Sequence, residues 1–434
     1  MATAQIGRQS LSPANGPRLT RTVALISLLV LALSYVVNAM DRQVFSVLLP
    51  GIRDEFGFSL TQGGLLATIF TLGIGVAGVP TGYLLDHLSR RSVILLGIAI
   101  YSLFTILTTV ATGFPDMLAY RAFSGVGEAM QNGALFAAVG AYFFANRAMA
   151  LGTLNCAYGI GGFLGPVLGS KLADGGSAWR TPFWTFGLIG LVFIGIIALV
   201  IRRSFTERKE TAVPAGPRLD AGHVPGRLYN RNVLLLGLTA AVVGISMYGY
   251  IGLYPTFLES RLGFSSGHAA LAASMFGLGA LLGIPAGWLG DRLNQRTVMI
   301  VALLAGCVVG YLLFNGPTTP GPQYALSIAE GAIASGFLFV NIYSAMQRAV
   351  RPRMIGRVSG LFVAAFYLPA AFSGYLFSAF VDGVGWGGAG LWELTVMPLA
   401  GVVALFFVNT RELARTTLSG GGSGRNPLSD AEGN

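Results

Sequence analysis

The chain is poor in charge, cysteine and histidine. Of its 434 residues 11% are charged, three are His and two are Cys. A soluble chain of this size carries roughly twice that charge, so an ordinary water-facing surface is excluded. Cys156 and Cys307 both fall inside apolar segments, which gives no basis for a disulfide, and the few His and Cys form no metal-ligand cluster. No Gly-rich phosphate loop with a catalytic Lys is present, so nothing supports an enzyme or a resident cofactor.

Apolar residues make up 53% of the chain and glycine contributes 61 residues, as expected where membrane helices pack closely. Hydropathy predicts twelve spans, at 23–50, 61–85, 92–111, 115–144, 148–172, 181–201, 233–258, 268–289, 298–314, 323–347, 358–380 and 392–409. The fold class expected is therefore all-α, an integral membrane protein of twelve transmembrane helices. Residues 1–22 read as a polar cytoplasmic tail and 23–201 as the first six-helix half. Residues 202–231 read as a flexible cytoplasmic linker, 232–410 as the second half and 411–434 as a disordered tail. The first apolar run is long enough to remain a span, and no cleaved signal is expected.

Charge tests this map. With both termini inside, 22 of the 28 Lys and Arg residues fall on the cytoplasmic side. Four (Arg53, Lys171, Arg180 and Arg261) fall on the other side, and Arg42 and Arg121 lie within spans. The bias is the positive-inside pattern. It also accounts for the net charge of +10 without a nucleic-acid partner; the basic face meets anionic lipid instead.

A ten-residue cassette occurs twice, 205 residues apart. Gly82-Tyr-Leu-Leu-Asp86-His-Leu-Ser-Arg90-Arg91 is repeated as Gly287-Trp-Leu-Gly-Asp291-Arg-Leu-Asn-Gln-Arg296, with Gly78 and Pro80 matched by Gly283 and Pro285. Two copies in register imply two structurally related halves. The cassette resembles the signature loop of the major facilitator superfamily, G-x-L-x-D-R-x-G-R-[KR]. His87, Ser89, Asn294 and Gln295 depart from it. The resemblance implies two pseudo-symmetric halves and alternating access. It gives Gly82, Asp86, Arg90, Arg91, Gly287, Asp291 and Arg296 a part in the change of state, with the Arg side chains able to pair across the halves.

Ionisable groups inside spans are costly, about 2.5–3.5 kcal/mol each on insertion scales, and mark working parts. Asn38, Asp41 and Arg42 lie late in the first span, with Asn38 and Arg42 on one face. Asp41 points about 100° away from Arg42, so either residue can pair with another helix. Arg121 and Glu128 lie two turns apart on the fourth span, in a stretch resembling a second superfamily motif, R-x-x-x-G-x-G-x-A. Burial favours the neutral form of Glu128 and a neighbouring guanidinium favours the charged form, a balance suited to loading and releasing a proton. The alternative is a set of structural ion pairs. Glu330 reads as a snorkelling or water-exposed acid near a span end, and Asp116, Asp382 and Glu393 as span-edge residues without a role.

Asp-Arg in the first span with Arg-x6-Glu in the fourth resembles the anion:cation symporter family. The resemblance implies that Arg42 binds a substrate carboxylate while Asp41 and Glu128 couple protons. The expected partners are a small organic anion, a proton and the bilayer, for a monomer in a membrane such as the bacterial inner membrane. Arg121, Asn38, Gln131, Asn155, Tyr158, Tyr254, Asn341, Tyr343 and Tyr367 are the further candidate substrate contacts, and Asn132, Tyr248, Tyr250, Ser373 and Gln347 are other polar groups in the spans. The same Asp-Arg pair and Gly-Val-Gly-Glu-Ala run also resemble Spinster-type lipid carriers. Gly161-Gly-Phe-Leu-Gly165-Pro166-Val-Leu-Gly169 resembles a motif of drug:proton antiporters. A lysolipid carrier and a drug exporter are therefore the rival expectations.

Overall fold

Apolar runs in this chain become helices because hydrocarbon offers no water to satisfy backbone N–H and C=O groups, and a helix satisfies them internally. The computed structural model describes residues 19–143, 147–173, 178–207, 218–220, 223–351 and 354–417. In order come α1 (Arg21–Phe56), α2 (Leu60–Thr68), α3 (Phe70–His87), α4 (Arg90–Thr108), α5 (Phe114–Tyr142), α6 (Arg147–Leu172), α7 (Arg180–Val200) and the short α8 (Arg203–Thr206). The second half holds α9 (Arg231–Ser260), α10 (Ser266–Ala280), α11 (Gly283–Arg292), α12 (Gln295–Asn315), α13 (Pro320–Gly331), α14 (Val340–Arg348), α15 (Ile355–Ala370), α16 (Ser373–Gly390) and α17 (Met397–Phe406). Two π-helical segments, Ala332–Phe339 and Leu391–Val396, join α13 to α14 and α16 to α17.

Among the described residues, nine helical stretches are long and apolar enough to cross a membrane. Helix α5, whose middle carries Glu128, Gln131 and Asn132, and the consecutive pair α10–α11 add two more spans. The longest stretch, Ile355–Phe406, is two spans. It turns at Gly385, where φ is 73°, and Trp386 folds back onto Phe377 with 6.2 Å between ring centroids. The result is the expected twelve spans in two halves.

Local chemistry sets the ends. Gly57 closes α1 in the left-handed region, donating its N–H to the Arg53 carbonyl, and Ser59 with Gln62 forms a capping box that opens α2. Ser89 and Asn294, which stand where the signature loop carries Gly, cap the helices that follow them. Ser89 accepts from the Ser92 N–H and Asn294 from the Arg296 N–H.

Two stretches read as irregular carry structure. Linker residues Arg218–Asp220 (β1) pair antiparallel with tail residues Arg415–Thr417 (β2), Arg218 opposite Thr417. The tail expected to be disordered from 411 is thus tied to the linker as far as 417, because the extended backbones satisfy each other's hydrogen bonds. The rest of the tail, 418–434, lies outside the described residues.

The halves meet through α1 on α9, α6 on α10, α3 on α15 and α2 on α16. The last contact sits at the end opposite the termini. There Thr68 Oγ1 donates to the Ala371 carbonyl (2.9 Å) and Thr61 Oγ1 to Asp382 Oδ2 (3.2 Å). Gly64 and Gly374 lie so close that a Cβ on either would overlap the other's carbonyl. One buried apolar cluster runs through both halves, and a second, around Leu31, Ile98, Leu135 and Leu154, belongs to the first half. Leu25, Leu29 and Leu33 on α1, and Val192 and Leu199 on α7, face outward, as lipid-facing residues do.

Candidate functional site

Helix α1 turns Asn38, Asp41 and Arg42 inward because Tyr35, Asn38 and Arg42 recur at intervals of three and four along one face. Helix α5 presents Arg121, Ser124, Glu128 and Gln131 on one buried stripe at the same intervals. These two stripes face each other, with Thr105 of α4 alongside.

The pairs are crossed between helices. Arg42 Nε donates to Glu128 Oε2 at 2.9 Å, and Arg121 Nη1 lies 4.0 Å from Asp41 Oδ2. Thr105 Oγ1 donates to that same Asp41 oxygen at 2.8 Å. Asn38 accepts from Arg42 Nη2 (3.4 Å) and donates to Gln131 Oε1 (2.9 Å), and Gln131 donates to Ser34 Oγ (3.2 Å). The expectation of Glu128 beside Arg121 is corrected in one respect: its hydrogen-bonded partner is Arg42, because α1 faces α5 at that level. Arg121 lies instead between Phe45 (4.7 Å from its Cζ to the centroid) and Phe70 (5.3 Å), and none of its three nitrogens has a hydrogen-bond acceptor among the described residues. Cation–π contact is worth about 2 kcal/mol or more when desolvated, which offsets part of the cost of burying it.

Each carboxylate has one oxygen engaged. Asp41 Oδ1 and Glu128 Oε1 have no hydrogen-bond partner among the described residues. Asp41, Arg121, Glu128 and Gln131 are wholly buried, whereas Arg42 keeps 3% of its surface. Arg42 is thus the least completely enclosed of these charged residues. It lies 5.7 Å from the Tyr158 ring, and Tyr248 of α9 and Tyr367 of α15 are near enough to interact with it electrostatically. Tyr248 and Tyr367 lie 5.9 Å apart, so the second half supplies hydroxyls and ring faces opposite the charge.

The structure therefore brings together Asn38, Asp41, Arg42, Arg121, Glu128, Gln131, Tyr158 and Tyr367. It places Asn155 at an exposed position on α6. Tyr254 donates to Gln323 Oε1 (2.8 Å), Asn341 donates to the Phe337 carbonyl (2.9 Å), and Tyr343 packs on Phe362 (4.9 Å), all within the second half. Tyr35, Ser34 and Thr105 were not among the sequence candidates. Tyr35 carried a signal, since it shares the Asn38–Arg42 face; a lone Ser or Thr in a span carries none.

In the cassettes, the Arg90 and Arg91 backbone N–H groups donate to Glu207 (3.1 and 3.2 Å), and the Arg91 side chain to the Ala198 carbonyl. Arg296 donates to the Val408 carbonyl (3.3 Å). These contacts tie each loop to the last span of its own half or just beyond it. Gly82 and Gly287 lie in α3 and α11; the side chains of Asp86 and Asp291 are outside the described residues. Two acids need correction. Glu330 is 5% exposed and Glu393 is fully buried, because α13 starts at Pro320 and the last span starts just after Gly385, which puts both well inside their helices.

A twelve-span bundle of two related halves, with a charged network in one half facing polar groups of the other, is the architecture of a secondary transporter. The sequence profile of the Major Facilitator Superfamily matches residues 31–374 and, in an overlapping second match, 236–431. The chain belongs to this superfamily and is a transporter, not an enzyme. It is 27% identical over 380 residues to the protein of Escherichia coli (strain K12) named probable L-galactonate transporter, covering 82% of this chain and 83% of that one. It is 24% identical over 352 residues to the hexuronate transporter of Bacillus subtilis (strain 168), covering 77% and 82%. A bacterial homologue of the human lysosomal transporter Spinster, solved inward-facing and unoccupied, shares the fold with a TM-score of 0.70 at 21% identity, covering 90% of this chain and 96% of that one.

Proposed function

We propose that the protein moves a small organic anion together with protons. The observation that carries this is the Arg42–Glu128 bond: a buried cation of the site is held by a carboxylate of the protein itself. An incoming substrate carboxylate must compete with Glu128 for the same guanidinium. Protonating Glu128 weakens its hold on Arg42 and frees the planar fork to grip the substrate in two places. Proton and anion binding then favour each other, and by linkage the preference is reciprocal. Asp41 and Arg121 form a second, looser ion pair, 4.0 Å apart without a hydrogen bond, and Thr105 donates to Asp41. One proton with one carboxylate adds no net charge to the network, so the loaded carrier avoids carrying an extra buried charge across.

Two relatives are named for sugar acids, galactonate and hexuronate, each a carboxylate. That supports the anion and leaves the sugar open. The halves would rock about the central network, with the Gly64–Gly374 contact forming the gate at the end opposite the termini. The positive-inside bias supports placing the termini, and the end that carries them, in the cytoplasm.

The test is uptake into proteoliposomes of known orientation, with L-galactonate and a hexuronate as labelled probes in a panel of carboxylates. An imposed pH gradient should drive accumulation on the alkaline side. Carboxylate uptake of equal extent with and without the gradient would remove the proton from the mechanism. Export of cationic amphiphiles with no carboxylate uptake would remove the anion.

A further inference from the structure

The offset that relates the two cassettes also relates the interiors of the halves. Advanced by 205, Asn38, Asp41 and Arg42 become Val243, Ser246 and Met247, Tyr101 becomes Gly306 and Glu128 becomes Ile333. All five of these line one narrow cleft between α9, α12, the Ala332–Phe339 segment and the last span. Where the first half holds its ion-pair network, the second half has small and apolar side chains around a cleft. One carboxylic acid lines it, Glu330 from the end of α13.

Glu330 is 95% buried, and its Oε2 has no hydrogen-bond partner among the described residues. No Lys or Arg lines the cleft. Among the described residues, the titratable groups near enough to Glu330 to interact with it are Tyr250 on α9 and Cys307 on α12, and Glu393 lies on the last span. His268 on α10 is bonded to Tyr324 near the start of α13, towards the end of the bundle. An isolated carboxylate there would be strongly disfavoured against its neutral acid. The backbone adds a second observation. The π-helical segment begins two residues after Glu330, and the other π-helical segment contains Glu393, whose carbonyl accepts from Ser246 Oγ at 2.7 Å. Such segments widen the helix and recur at functional sites. A hard metal cation takes about six oxygen ligands, and besides Glu330 the lining side chains offer only the Ser246 hydroxyl. A single carboxylic acid among apolar walls suits one ligand, a proton.

We propose that Glu330 is a second proton-binding site, loaded and emptied through this cleft and separate from the pairs in the first half. Its use in coupling rests on the proton-driven reading above; its existence as a proton site does not. The experiment is pH-difference infrared spectroscopy on the full chain in lipid bilayers, with the proton as the only probe. Wild type should show buried carboxylic-acid C=O bands that vanish as pH rises. Glu330→Gln should lose one of them, which Glu128→Gln and Glu393→Gln retain. A Glu330→Gln difference spectrum that superposes on wild type overturns the proposal. If that variant does not fold, Glu330→Asp decides: a shifted band supports the site and an unmoved spectrum overturns it. Failure of the transport reading shows separately, as carboxylate accumulation indifferent to a pH gradient in vesicles whose Glu330 band is intact.

Discussion

At the scale of the residue, Arg42 is held by Glu128, and in the proposed mechanism a substrate carboxylate competes for it. If Glu128 releases it on protonation, anion binding tightens as pH falls and weakens as pH rises. Glu128→Gln mimics the protonated state permanently. The variant should bind the transported carboxylate at a strength that varies less with pH than in wild type, and should not accumulate it against a gradient. Isothermal titration at several pH values checks the first statement; a binding constant as pH-dependent as wild type would remove Glu128 from the coupling. Arg42→Lys keeps the charge and loses the fork. A charge-assisted hydrogen bond contributes about 1.5–3 kcal/mol, so affinity should fall by about ten- to a hundredfold in a protein that is folded by thermal denaturation. Undiminished affinity would make the role of Arg42 purely electrostatic. Which acid pairs with which cation was not legible in the sequence. Asp41 and Arg42 are neighbours in the chain and Arg121 and Glu128 share a helix, yet the pairs cross between α1 and α5, and only the relative depth of the two helices decides that.

At the scale of the element, the contact between α2 and α16 is the one to break or lock. Thr61 and Asp382 approach to 3.2 Å across the halves, and Gly64 and Gly374 admit no side chain between their backbones. Replacing Thr61 and Asp382 together by Cys should give a disulfide on oxidation, arresting transport until reductant is added; transport undisturbed by complete cross-linking would mean that this end need not open. Gly374→Val should separate the two elements and abolish that cross-link. Spans as such were legible, since hydropathy places all twelve, and the departures at Ser89 and Asn294 have a local reason as helix caps. The ends were less so. Gly385 turns the chain with a single left-handed residue, so the last span starts earlier than its hydropathy suggests and carries Glu393 into the interior. Glu330 was misplaced for the same reason, because α13 opens at Pro320, a residue suited to the first turn of a helix.

At the scale of the whole molecule, the two halves have diverged in chemistry while keeping one plan. The repeat at 205 survives in the cassettes and in the cleft positions, but the cations and most of the buried charge are in the first half. A transporter so divided can bind charge with one half and read the remainder of the ligand with the other, here through Tyr248 and Tyr367 near Arg42. The side on which Lys and Arg accumulate predicts which end faces the cytoplasm. Seven of them lie in 202–231, the link between the halves, on the same side as both termini. An epitope inserted between 208 and 217, away from the β1–β2 pairing, should therefore leave transport intact. It should be reached by antibody only after the cell membrane is opened. Labelling of that epitope in intact cells would invert the bundle, and with it the direction in which a proton gradient across the cell membrane drives the carboxylate.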